Sequence, residues 1–309
     1  MSRFTHLPLA FLITITLLIW GTEYTLVGTI DPLAISEAWQ VTIRMGFGAF
    51  LMVIFVLVRG HRLPRLADKS WVVYGIMGFI GMTIPFYLIA KGYNAGIDSG
   101  LISILIGVTP LFTVVLAHFF VRSEPLTKFK SLGFFIGFIG VCVLFLPKEL
   151  SWALAENWQI QALVVLAAFG YAATSILGKR APLQPPSVGA AIMLLGGALS
   201  AVVCALLFAS AEIPRAIPPT NILAALAALT IGATFLGNLL YLRLLQISGP
   251  SLIAKINYMV PVIAIISGMV FLGEDFQNKY AVSLVIIITG LVIARIGTSI
   301  PDEQGQNGP

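Results

Sequence analysis

Residues 99–124 read SGLISILIGVTPLFTVVLAHFFVRSE, and residues 250–274 read PSLIAKINYMVPVIAIISGMVFLGE. Each is an apolar run long enough to cross a bilayer, with a proline near its middle, Pro110 or Pro261, and a glutamate at its end, Glu124 or Glu274. A proline inside a helix removes a backbone hydrogen bond and kinks the chain. At mid-depth in a membrane the freed carbonyls must be met by neighbouring helices, water or a ligand. Recurrence of the break in both stretches favours a hinge, and a static kink for packing is the alternative.

The surrounding sequence has the composition of a membrane protein. Of 309 residues, 58% are hydrophobic and only 10% charged, whereas soluble domains carry about a quarter charged residues. Ten runs are long enough to span: 7–28, 36–58, 71–93, 98–121, 129–147, 158–179, 187–210, 221–244, 250–272 and 279–297. The first lacks a small-residue cleavage site and reads as a retained span, not a signal peptide. Ten spans place both termini on one side. With that side inside, its loops collect twelve Lys and Arg against four outside, a positive-inside pattern with both termini cytoplasmic. The net charge of +5 is therefore topological and gives no reason to expect a nucleic-acid partner. Cys142 and Cys204 lie within apolar runs and read as small core residues, with no disulfide, metal site or cofactor implied. The tail from 298 to 309 is polar and is expected to be disordered.

The chain divides after residue 147 into two sets of five spans, 1–147 and 148–297. Trp20-Gly21 precedes Pro110 by nearly the distance at which Phe169-Gly170 precedes Pro261, and Gly140 and Gly290 follow each proline at similar spacing. Because five is odd, a second copy enters the membrane from the opposite side. The expected fold is thus all-α and polytopic, with ten transmembrane helices as two inverted five-helix repeats.

These features together resemble the drug/metabolite transporter superfamily, in particular EamA-type bacterial exporters such as those of aromatic amino acids. The resemblance is carried by Trp20-Gly21 and Phe169-Gly170, Arg44, the two prolines, Ser123-Glu124-Pro125 and Gly273-Glu274-Asp275, and the glycines of spans five and ten. It implies a ten-helix carrier of the bacterial inner membrane with a central cavity lined by spans one, three, four, six, eight and nine. It also implies outward movement of small organic solutes, often amino acids or their relatives. Met193 falls where a second Arg44 would be, so one arginine serves both halves.

Intramembrane charges are costly and need a reason. Glu23 and Arg44 both fall roughly 7–12 Å below the outer surface, by the rise of an α-helix. They are read either as an outer gate or proton-linked carboxylate, or as a structural ion pair pinning a hairpin. Lys255 either snorkels to the headgroups or holds an anionic group in the cavity beside Asn257 and Tyr258. His118, near the inner end of its span, reads as interfacial. Candidate solute-binding side chains along the cavity helices are Trp20, Tyr24, Tyr87, Ser103, Tyr171, Ser175, Asn238, Tyr241, Lys255, Asn257 and Tyr258. Aromatic faces with a few hydrogen-bonding groups suit an amphipathic small molecule, although helix packing explains any one of them alone. Gly133, Gly137, Gly140 and Gly290 permit close helix approach, as a supporting face or one that forms a homodimer.

Other classes fit less well. The sequence has no HExxH motif, and Gly96-Ile97-Asp98-Ser99-Gly100 has no histidine near it to activate Ser99, which argues against an enzyme. A channel would want a ring of like charge. An exchanger of sugar phosphates or nucleotide sugars would want two or more cavity cations, and Lys255 alone is available.

Overall fold

The structure, a computed structural model, describes residues 8–28, 30, 34–95, 105–145, 158–214, 217–267, 269–270 and 278–296. Apolar runs in this chain become helices because only a helix satisfies its backbone polar groups without outside partners. In chain order they are α1 (Leu9–Gly28), α2 (Glu37–Val58), α3 (residues 69–94), α4 (Thr109–Phe120), α5 (Lys128–Phe145), α6 (Trp158–Arg180), α7 (Pro186–Phe208), α8 (Thr220–Ser248), α9 (Pro250–Ser267) and α10 (Asn278–Ile296). Seven of them, α2, α3 and α6 to α10, are long and apolar enough to cross a membrane. The apolar stretches Leu9–Glu23 of α1 and Thr109–Phe120 of α4 are shorter. Starts follow local chemistry: Asp68 caps α3 by accepting from the Ser70 amide at 2.8 Å, and the Ser70 hydroxyl and amide hold this exposed carboxyl below its usual value. Proline opens α7 and α9, where its missing N–H costs nothing.

The two prolines at the centre of the opening stretches behave differently. Pro261 sits inside a continuous α9, but Pro110 lies in the first turn of α4, after a turn at Gly107 and Val108. Pro110 therefore starts a described helix where the sequence suggested a mid-helix kink. Within α3 and α8 the winding instead departs from α, which the sequence did not announce. In α3 residues Phe79–Thr83, and in α8 residues Thr230–Leu236, the helix widens to a π turn. Such turns cluster at functional sites. Thr83 donates to the Gly197 carbonyl of α7 at 3.1 Å, and Thr234 accepts from Arg44 of α2 at 3.3 Å. The same offset relates Thr83 to Thr234 and Pro110 to Pro261.

Helix α5 packs against α10, α2 against α7 and α4 against α9. Likewise α3 meets α7 as α8 meets α2, α1 meets α9 as α6 meets α4, and α3 meets α6 as α8 meets α1. The main core joins α2, α3, α7, α8 and α9 around Met52, Tyr74, Met77, Met193 and Leu242. Met193 thus fills the core where its sequence counterpart Arg44 carries charge. Phe47, Phe50 and Leu57 on α2, Leu199 and Leu207 on α7 and Val285 and Val292 on α10 face outward. In water this would be a large apolar liability, and in a bilayer it is the lipid-facing belt.

At α5 and α10 the backbones nearly touch. A Cβ on Gly133 would lie 2.3 Å from the Ala294 nitrogen, and the Ser283 hydroxyl donates to the Gly140 carbonyl. These glycines are occupied within one chain, as a supporting seam. Tyr258 closes it from α9: its ring lies over Gly137, and its hydroxyl donates to the Phe134 carbonyl at 2.6 Å. Tyr258→Phe is expected to cost about 1 kcal/mol, one net hydrogen bond, while Tyr258→Ala costs about 3–5 kcal/mol through the void left by the ring. Thermal unfolding in detergent checks the ranking.

Candidate functional site

Arg44 is the junction of the site. It is 4% exposed, and its guanidinium donates to Glu23 of α1 at 2.5 Å and to the Thr234 hydroxyl of α8 at 3.3 Å. The Phe86 ring of α3 lies 5.8 Å from its central carbon. Four helices therefore converge on one buried cation. A buried guanidinium is tolerable only with a close counter-charge and satisfied donors, which Glu23 and Thr234 supply. The two residues meet, and the geometry allows both a gate and a pin.

The face of α8 that carries Thr234 also carries Asn238 and Tyr241, at helical spacing. Asn238 donates back to the Thr234 carbonyl at 2.7 Å. Tyr241 is tilted against Trp20 of α1 with ring centroids 6.2 Å apart, and its hydroxyl lies 3.3 Å from that of Ser175 on α6. A Cβ on Gly237 would lie 2.9 Å from the Trp20 indole nitrogen, so glycine is what lets the indole sit against α8. Trp20, Ser175 and Tyr241 are thus brought together, from three helices that the family resemblance implies line the cavity. On the same helix as Ser175, Phe169 of α6 meets Phe112 of α4 edge-on at 5.6 Å.

Tyr171 is half-buried and its carbonyl accepts from Ser175. Asn257 is half-buried on α9. Tyr258 turns into α5, where its ring and hydroxyl pack helices, in place of the cavity position expected from the sequence. Lys255 opens onto a cavity of about 320 Å³ between α1, α9 and α10, lined also by Ile13, Leu17 and Arg295. That cavity is walled by other side chains than the Trp20 group. Ser103 and the side chain of Tyr24 lie outside the described residues. His118 accepts from the Leu126 amide at 3.1 Å and stabilises the turn after α4.

Tyr87 lines a larger cavity, about 1260 Å³, walled by α2, α3, α7 and the segments after α7. Glu124 is a functional candidate that the sequence reading noted only as part of a motif. It is 8% exposed, accepts from the Ser251 amide at 3.0 Å and from the Ser251 hydroxyl, and pairs with Lys130 at 3.7 Å. Its carboxylate thereby occupies the first turn of α9, where orphan amides and the helix dipole favour an anion. Gly249, at φ +79°, lets the chain turn there, and any Cβ would collide with that carboxylate.

Stacked apolar helices around a buried ion pair and an aromatic cluster define a multi-pass membrane protein built for transport. The chain belongs to the EamA-like transporter family, whose model matches twice, at residues 7–146 and 159–296. It is 22% identical over 291 residues to the inner membrane transporter YedA of Escherichia coli (strain K12), covering 94% of this chain and 92% of that one. It is 24% identical to the "Probable amino-acid metabolite efflux pump" of Salmonella typhimurium, over 93% of this chain and 94% of the other. An S-adenosylmethionine/S-adenosylhomocysteine transporter of Chlamydia trachomatis is also 24% identical, with 91% and 86% covered. One crystal structure shares the fold with a TM-score of 0.76 at 20% identity, over 92% of this chain and 98% of that chain.

Proposed function

We propose that this chain is an alternating-access exporter of small amphipathic metabolites, amino acids or their close relatives. Its halves, 1–147 and 148–297, are inverted five-helix repeats in a bacterial inner membrane, with both termini and the 298–309 tail in the cytoplasm. The observation that carries this reading is the Arg44 junction, where one buried ion pair is held by α1, α2 and α3 from the first family match and by α8 from the second. A change in the angle between the halves must break or remake the Arg44–Thr234 contact of that junction. The exchange of helix partners on counting forward five helices supports the repeat, and the charge pattern of the loops supports the orientation.

The Trp20, Tyr241 and Ser175 cluster supports a solute with an apolar body and a few polar groups. Relatives named for amino-acid metabolites and S-adenosylmethionine fit the same chemistry. Lys255 stands away from that cluster, which leaves a phosphorylated solute without a partner there. The test is counterflow in proteoliposomes against amino acids, amphipathic drugs and sugar phosphates at two pH values. Exchange of amino acids is expected. Trp20→Ala should lower it about tenfold, equivalent to about 1.4 kcal/mol of lost ring contact, while Lys255→Gln changes it less than about twofold. Exchange of a sugar phosphate alone would overturn the assignment.

A further inference from the structure

The cavity between α2, α3 and α7 lies apart from the Trp20 cluster and has the makings of a second site. One end of the bundle gathers the contacts of His61 with Ser187, Tyr74 with Pro182 and Glu124 with Ser251. This cavity lies at the other end, where Trp39 of α2 donates to the Ala209 carbonyl at 3.0 Å. Its walls are apolar and aromatic, with Phe79, Phe86 and Phe208 among them. Phe86 is also the ring that faces Arg44, so the cavity is one side chain away from the junction.

Two side chains of its lining carry unsatisfied polar atoms: the hydroxyls of Ser36 and Tyr87 are enclosed and have no hydrogen-bond partner among the described residues. One helical turn beyond Ser36, the amide nitrogen of Gln40, which is 6% exposed, is also without a partner. Enclosed polar atoms in native structures are nearly always paired, so a rotation of either side chain toward the cavity would let its hydroxyl meet a ligand's own polar group. Lys91 and Glu212 both line the same cavity. Opposite charges at the exposed rim of one cavity, Lys91 from α3 and Glu212 from the segment after α7, match a zwitterion, the ammonium toward Glu212 and the carboxylate toward Lys91.

We infer that this cavity is a second binding site for amphipathic zwitterionic solutes, on the outer side of the transporter. Its apolar walls take the solute's body, and the Ser36 and Tyr87 hydroxyls orient the polar end between Lys91 and Glu212. The inference rests on the transport reading for the side of the membrane it faces, but its test reads binding and not transport.

Cys204 lines the cavity and serves as the reporter. In full-length protein carrying Cys142→Ala, labelling of Cys204 by N-ethylmaleimide is followed in detergent with phenylalanine, inorganic phosphate or no addition. Phenylalanine is expected to slow labelling at least about threefold at saturation, as mass action requires for a mostly filled site, and phosphate to leave it unchanged. Tyr87→Phe with Ser36→Ala, and separately Glu212→Gln, should raise the half-protecting concentration about tenfold at unchanged melting temperature. Absence of protection, or protection equal in all variants, would overturn the site. Slow labelling in phosphatidylethanolamine nanodiscs whatever the solute would overturn it too, by showing a lipid as the occupant. Counterflow measured on the same protein bears on the transport reading alone.

Discussion

Glu23→Gln is expected to reduce solute exchange in proteoliposomes more than about tenfold, equivalent to about 1.4 kcal/mol or more, and to lower the melting temperature in detergent. The reason is Arg44. Its side chain is 4% exposed and, among the described residues, its counter-charge is a single carboxylate, so the neutral amide leaves a buried guanidinium without compensation. Removing one partner of a buried pair costs about 3–5 kcal/mol, and the lower part of that range applies because the Glu23 side chain is 20% exposed and admits water. Arg44→Met should be as damaging to exchange. Combining it with Glu23→Gln removes both charges, and stability is then expected to return to within about 1 kcal/mol of the parent, since apolar replacement of a whole buried pair is often neutral. Exchange should stay low. A gate needs a contact that forms in one arrangement of the halves and breaks in the other, whereas a pin needs only cohesion. Recovery of exchange along with stability in the double variant would reduce the pair to a pin.

That pair illustrates how far the sequence could be read. Glu23 and Arg44 were paired from depth alone, because α-helical rise converts position in a span directly into depth. The spans themselves were legible for the same reason that hydropathy works: a bilayer forces long uninterrupted apolar runs. Which way a side chain faces was not legible. A membrane helix that is apolar all round offers no amphipathic stripe to orient it. Lys255 and Tyr258, three positions apart on α9, were accordingly assigned to one cavity. The structure sends one toward α1 and α10 and the other into α5. The π turns of α3 and α8 left no trace because their sequences, FIGMT and TIGATFL, hold no proline and no residue type that flanking membrane helices lack. Glu124 was visible as a motif, but its partner Ser251 lies on another helix, and no local spacing announces a contact of that kind.

Gly290→Val should have the largest effect on folding of any substitution considered. A Cβ at Gly290 would lie 2.5 Å from the Gly133 oxygen and 2.5 Å from the Gly137 nitrogen. Both are backbone atoms, so no side-chain rotation relieves the overlap and α5 must move away from α10. That separation also strains the neighbouring contacts, where a Cβ on Gly140 would already lie 2.9 Å from the Ile287 nitrogen. The hydrogen bond from Ser283 to the Gly140 carbonyl is lost with it, and the Phe134 and Tyr258 rings behind α5, 5.7 Å apart, lose their register. Helices in a bilayer associate through close van der Waals contact, with little hydrophobic driving force to hold a loosened pair. The expected result is a melting temperature lower by more than about 10 °C, in line with a loss above about 4 kcal/mol, or failure to recover folded protein. Gly46→Ala is the matched control, because a Cβ there meets nothing within 4 Å, and it should leave the melting temperature unchanged or slightly raised. Size-exclusion chromatography on both variants separates the two uses of such glycines. A seam within one chain predicts that Gly290→Val lowers the melting temperature without changing the assembly's size. If the variant only dissociated a larger assembly while each chain kept its melting temperature, the glycines would join copies of the chain instead.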